Sequence, residues 1–226
     1  MVKSFLILIF FQIFLHANQQ IILVVSNDYN NSKASLSCFE NNKKVFKDID
    51  VNIGKNGLGF GLGKIQFTDQ SNKPLKYEGD KKAPIGVFKL THLFGYNKES
   101  NYNMPYLHAD KQLICIDDSN NKNYNKIIPM PNTKPKSFEW MRRKDNQYEL
   151  GIVVEHNKEQ LKQRGSCIFI HVEKFKDTPT AGCTSMSLKD LKKIVNWLDI
   201  KKNPLLIQVP KSLLEEVYEL YPELKH

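Results

Sequence analysis

The 226-residue chain is short of long apolar runs and of clustered metal ligands, and each shortage removes a class of function. One strongly apolar run is present, residues 5–11 extended past Gln12 to Leu15, and it falls short of the about 20 residues a membrane span needs. His92 and His108 share no ligand spacing with each other or with the cysteines, and Cys-x-x-Cys is absent. Neither a zinc site nor a dithiol redox motif is therefore expected, and no metal or cofactor is predicted. No internal repeat is found, which argues against a solenoid or propeller. The glycine-rich stretch GKNGLGFGLGK, residues 54–64, misses the phosphate-loop spacing, because Leu58 stands where the first glycine should be and Ile65 follows Lys64. Its glycines read instead as tight turns and close backbone packing.

The N-terminal MVKSFLILIFFQIFLHANQQ pairs a lysine at position 3 with the apolar run and then the polar Asn18, Gln19 and Gln20. That order reads as a secretory signal peptide, cut after Ala17, although Leu15 is larger than the small residue usual three places before a cleavage site. No cysteine follows closely enough for a lipoprotein. Residues 18–226 are then one domain, long enough for a full core. Lysine and arginine outnumber aspartate and glutamate 33 to 24, and losing the leader lowers the net charge from +9 to +8. A basic surface outside the cytoplasm, in a periplasm or equivalent space, suits an anionic partner such as a cell wall. Nucleic acid is the common partner of basic chains, but an exported protein seldom meets it, and none is expected. Many lysines are scattered among asparagines and read as solvated surface.

Short apolar runs between turn residues dominate the pattern, so the fold is expected to be mainly β with one or two packed helices. Residues 21–28 read as a buried strand, and residues 34–53 as two strands joined at Asn41 and Asn42. From 76 to 128, runs such as GVFKL, FGY and QLICIDD suggest further strands and loops, and the proline-bearing PMPNTKPKSFEW a loop. SCIFIHVEKF, residues 166–175, is a strand whose alternation puts Cys167, Phe169 and His171 on one face and Ile168 and Ile170 on the other. Ser187 and Asp190 open a helix with apolar residues at 188, 191, 194, 195 and 198. Asn203-Pro204 stops it, residues 205–209 form a strand, and 212–225 a short amphipathic helix.

The stretch TPTAGCTSMS, residues 178–187, sets Cys183 on a turn after Gly182 and just before that helix. A thiol is a useful nucleophile when a base can take its proton and nearby dipoles favour the thiolate. His171 ends a strand twelve residues earlier and could supply the base, while the amides of Gly182, Cys183 and Thr184 could form an oxyanion hole. The plainer alternative is a buried thiol beside a core histidine. Four cysteines, Cys38, Cys115, Cys167 and Cys183, would allow two disulfides, but a nucleophile must stay free, leaving at most one bridge among the others. Cys167 reads as a core thiol or as half of a bridge with Cys115. Asp117 and Asp118 read as a turn, not a site.

Taken together, His171 and TAGCTSMS resemble a divergent signature of the L,D-transpeptidase catalytic domain, the YkuD family, closest to a subfamily with a G-S-C-I-F-h-H strand and P-T-A-G-C-T-x-M. Further blocks match in order: EGDKKAPIGVFKL (78–90), FGY (94–96), CIDDSNNKNYN (115–125), EWMRRKDNQYELGIVVEHN (139–157) and WLDIKKNPLLIQVP (197–210). The resemblance covers about residues 45–210 and implies a β-sandwich or barrel-like catalytic domain acting on peptidoglycan stem peptides. It implies Cys183 as nucleophile, His171 as general base oriented by a neighbouring backbone carbonyl, and a thioester resolved by an amine or by water. The broader family carries histidine two places before the cysteine and often arginine two places after it, where Ala181 and Ser185 stand here. With serine at 185, a substrate carboxylate must be held elsewhere, and Arg142 and His156 are the candidates. The competing function is a catalytically silent wall-binding protein that keeps the fold.

Overall fold

The computed structural model describes residues 19–65, 67 and 73–225, so the expected leader at residues 1–17 lies outside the described residues. The chain runs through β1 (Gln20–Ser26), β2 (Lys33–Glu40), β3 (Lys43–Lys44), β4 (Ile49–Asn52), β5 (Leu58–Phe60), β6 (Ala83–Gly95) and β7 (Tyr106–His108). It continues through β8 (Leu113–Cys115), β9 (Ile127–Pro129), β10 (Glu139–Trp140), β11 (Leu150–Val154), β12 (Phe169–Val172) and β13 (Thr184–Met186). Helix α1 (Leu188–Trp197), β14 (Leu205–Pro210) and α2 (Leu214–Leu220) complete the order. The main sheet runs β1-β14-β6-β11-β12-β13-β4-β2-β3, and an additional β1–β2 pairing closes it on itself like a barrel. Strands β10, β8 and β9 form a separate three-stranded sheet. Among the described residues, no helix is long and apolar enough to cross a membrane.

Two hydrophobic clusters sit on opposite faces of β12, as strand alternation dictates. Ile168 and Ile170 join the larger core with the strand interiors and with Leu191, Ile194 and Val195 of α1. Each such aliphatic side chain contributes roughly 1.5–3 kcal/mol by leaving water. Cys167 and Phe169 face the other way, into a second cluster with Phe94, Cys115, Met141, Tyr148 and Cys183. This smaller cluster holds the three-stranded sheet near the thiol.

Several expectations are met and several are refined. Ser187 caps α1, its Oγ accepting the Asp190 amide at 3.1 Å. Asn41 and Asn42 both adopt positive φ, 51° and 60°, and turn β2 into β3; β4 is a further strand, so residues 34–53 hold three strands and not two. The strand expected over 166–175 is only Phe169–Val172, because Cys167 is left-handed at φ 53° and breaks the extended run. GVFKL and the Phe94-Gly95 of FGY are parts of one continuous strand, β6, which ends before Tyr96. The C-terminal helix is shorter than 212–225: α2 ends at Leu220, and Pro222, which cannot continue the backbone ladder, opens a separate 3-10 turn. The glycine-rich stretch packs closely as expected: a Cβ on Gly57 (φ 75°) would stand 2.1 Å from the Tyr29 carbonyl, and one on Gly63 2.4 Å from that of Val87.

Candidate active site

Parallel pairing of β12 with β13 builds the site. Ile170 lies opposite Thr184 and His171 opposite Ser185, which places Phe169 beside Cys183. Cys183 and His171 therefore share one face, offset by two residues, about 6.6 Å of strand rise. The loop before the cysteine is pinned: Thr180 N–H donates to Ile53 O at 3.0 Å, and Lys55 N–H to Thr180 O at 2.9 Å. Thr180 Oγ1 donates to Cys183 O at 2.6 Å and accepts the Gly182 amide at 3.0 Å. Gly182, at φ 147°, makes the bend that a side chain would strain.

The thiol is enclosed, with Cys183 8% exposed. Its Sγ accepts the Phe169 amide at 3.3 Å and meets the Cys167 carbonyl at 3.6 Å. Burial pushes the thiol up to about 12, with the Glu139 carboxylate adding to the rise; the Phe169 amide, Lys76 and Arg143 pull the other way and lose. His171 is also buried, and its Nδ1 meets the Val172 carbonyl at 2.8 Å. Burial pushes the imidazole down to about 4, the Val172 bond only partly opposing it. The resting pair is thus neutral thiol and neutral imidazole. The influences that favour a thiolate are one amide, that of Phe169, and the Lys76 and Arg143 charges, in place of the turn amides and helix start expected from the sequence, and desolvation outweighs them. No hydrogen bond joins the two side chains among the described residues; such contacts often tighten only when substrate binds.

Of the three amides expected to line an oxyanion hole, that of Gly182 is engaged by Thr180, and that of Cys183 donates to no group among the described residues. Thr184 is the first residue of β13. Ser185, where the broader family often has arginine, is 1% exposed and its hydroxyl has no partner among the described residues. It lies between His171 on β12 and Asn52 on β4.

The two residues named for a substrate carboxylate stand apart from the thiol's hydrogen bonds. Arg142 Nη1 donates to Ala109 O at 3.0 Å and Tyr96 O at 3.3 Å, and its guanidinium lies over the Tyr96 ring. His156 is 2% exposed, with both ring nitrogens unpartnered among the described residues. Burial, then the Lys76 and Arg164 charges, push it down to about 3, so it is a neutral ring at working pH.

Four nearby residues escaped sequence reasoning. Lys76, 3% exposed, donates from Nζ to Asp80 Oδ1 at 2.5 Å and Tyr77 O at 2.7 Å, and sits 3.7 Å from where a Gly182 Cβ would stand. Tyr148 packs its ring 5.2 Å from that of His171 and donates its hydroxyl to Glu139. Arg143, and not its neighbour Arg142, acts electrostatically on both Cys183 and His171, and pairs with Asp145 at 2.7 Å. Adjacent arginines in EWMRRKD carry no signal that tells them apart. Cys115 and Cys167 form a disulfide, leaving Cys38 and Cys183 free.

A cleft of about 880 Å³ opens between β4 and the start of α1, with Lys33, Asn52, Glu173 and Ser187 on its walls, and Cys183 does not line it. Among the described residues, no group of three or more histidine, cysteine, aspartate or glutamate side chains could hold a metal ion.

The family model of the L,D-transpeptidase catalytic domain, YkuD, matches residues 20–209. The chain belongs to this family. The match spans the closed sheet from β1 to β14 and includes the thiol turn, extending beyond the residues 45–210 expected at its N-terminal side. Comparison with curated proteins and with solved structures gives no match. An L,D-transpeptidase-family domain is an acyltransferase-type enzyme that modifies peptidoglycan.

Proposed function

We propose that the protein is an exported cysteine acyltransferase of the cell wall, an L,D-transpeptidase or L,D-carboxypeptidase working through a Cys183 thioester. The observation that carries this reading is the shared face of Cys183 and His171, with His171 Nδ1 committed to the Val172 carbonyl. That bond fixes the tautomer, leaving Nε2 as the basic nitrogen. As Sγ attacks the carbonyl on the L-centre side of an L,D bond, its proton passes to His171 Nε2 and a C–S bond forms. The negative oxygen accepts from the open Cys183 amide, with the Gly182 and Thr184 amides flanking it. Collapse breaks the C–N bond, and the departing D-alanine amine takes the proton from His171. An amine acceptor then yields a cross-link, or water yields the free acid; both fates use the same thioester. The substrate carboxylate is assigned to Arg142, whose guanidinium offers a planar fork of donors, whereas His156 is buried and neutral.

Export rests on the apolar leader, and the wall on the basic charge and the family. A second reading, a silent wall-binding protein, draws on one observation: the thiol is pushed up to about 12 and enclosed. Purified protein without residues 1–17, given muropeptides, is expected to release D-alanine or form cross-linked products by mass spectrometry, and Cys183→Ala to abolish both. Wild-type protein that binds the wall but leaves muropeptides unchanged supports the silent reading.

A further inference from the structure

His171 has little lateral support from its own sheet. Across β11 its register partner is Gly151, which offers no side chain, and across β13 it is the small Ser185. Among the described residues its ring makes one hydrogen bond, Nδ1 to Val172 O, which fixes one edge of the imidazole and not its face. Tyr148 supplies the missing wall. Its ring stands at 69° to the imidazole, and it is fixed in turn by edge contacts to Phe94 and Phe169 and by the Arg143 guanidinium 5.1 Å over its face. Its hydroxyl is anchored on Glu139 Oε2 at 2.5 Å.

Glu139 comes from β10, whose register partner on β8 is Cys115. Cys115 is bonded to Cys167, and the Cys167 carbonyl meets the Cys183 sulfur. A chain of contacts therefore runs from the thiol through Cys167, the disulfide, Cys115, Glu139 and Tyr148 to the imidazole. Glu139 of the small separate sheet thereby acts on the base only through Tyr148, which lies on the turn before β11, and a covalent bond fixes that sheet to the residue contacting the nucleophile.

We infer that Tyr148, anchored by Glu139, is a positioning residue that holds the His171 imidazole toward Cys183, and that the Cys115–Cys167 bridge keeps Glu139 in place for this task. The inference rests on the reading of His171 as the base, and it deepens that reading. Neither Tyr148 nor Glu139 exchanges a proton with substrate; they act through His171.

The test needs a readout independent of substrate and one that depends on it. In wild-type protein the His171 Nδ1–H resonance is expected to be sharp and slow to exchange with water. In Tyr148→Phe, which keeps the ring and loses the anchor, and in Glu139→Ala, exchange is expected to quicken and kcat to fall about 10-fold with KM unchanged, the worth of one hydrogen bond. Glu139→Gln, which keeps an acceptor for the tyrosine, restores both. Paired Cys115→Ser and Cys167→Ser substitutions loosen the same proton. If Glu139→Ala fails to fold, Tyr148→Phe carries the test. A ring proton and a kcat unchanged in Tyr148→Phe overturn the inference. Wild-type protein with no turnover, but with exchange quickened in Tyr148→Phe, overturns the proposed function and leaves the positioning role standing.

Discussion

Two buried neutral histidines should make this fold lose stability between pH 7 and 4.5, and His156 isolates the effect. Burial and the Lys76 and Arg164 charges push its imidazole from 6.5 down to about 3, while burial pushes His171 down to about 4. In this window the unfolded chain binds protons that the native state refuses, so stability is fully present above pH 6.5 and is lost as pH falls. The loss stops only below the folded values. Each histidine contributes roughly 2.5 kcal/mol of destabilisation on going from pH 7 to 4.5, or about 5 kcal/mol together, against the typical 5–15 kcal/mol of a whole domain. Glu139 works in the opposite sense, because burial raises its carboxyl, but it is present in wild type and variant alike and cancels in their comparison. Urea unfolding of wild type and His156→Gln at pH 7 and 4.5 measures the difference directly. The variant is expected to lose about 2.5 kcal/mol less than wild type over this interval. Equal losses in the two proteins would refute the claim that His156 is buried neutral.

Three further outcomes follow from the same structure. Because His171 stays neutral down to about 4, the acid limb of kcat/KM on muropeptides should fall near pH 4; a limb at the ordinary histidine value of about 6.5 would show an exposed base. Opening the Cys115–Cys167 bridge, which spans 52 residues of sequence, should cost about 4 kcal/mol in urea unfolding of the paired serine variant, and a loss below about 1 kcal/mol would show that the closed loop constrains little. Ser187→Ala removes the acceptor for the Asp190 amide and should cost about 1 kcal/mol by the same measurement, with no change expected if the cap is idle.

What was legible in the sequence is what local rules control. The Ser187 cap, the Asn41-Asn42 turn and the two faces of β12 each depend on residues within a few positions, and each appears as read. That Cys183 and His171 fall on one face of neighbouring strands was legible because a glycine turn and a strand end are local, and the order of blocks pointed to the family. Strand extent was not. Cys167 looks like a strand residue, yet its disulfide to Cys115 and the hydrogen bond its N–H donates to Asn125 Oδ1 accompany a left-handed backbone that the ladder cannot include. The hidden partners of the site, Glu139, Tyr148, Arg143 and Lys76, arrive from other elements, and only the pairing of β10 with β8 and the packing of the second cluster bring them near. Pro222 was a visible signal that the last helix could not run to 225, and its consequence is the short α2.

The central claim is that Cys183 carries the acyl group, and the most direct measurement is the mass of the enzyme itself. Protein mixed with a muropeptide ending in D-alanine, quenched in acid within the first turnover and digested, should carry the stem-peptide acyl group on the peptide containing Cys183 and none on that containing Cys38. His171→Ala should accumulate far less of the adduct, because the neutral thiol would keep its proton. Turnover with no adduct on Cys183, or turnover that survives Cys183→Ala, would contradict the account.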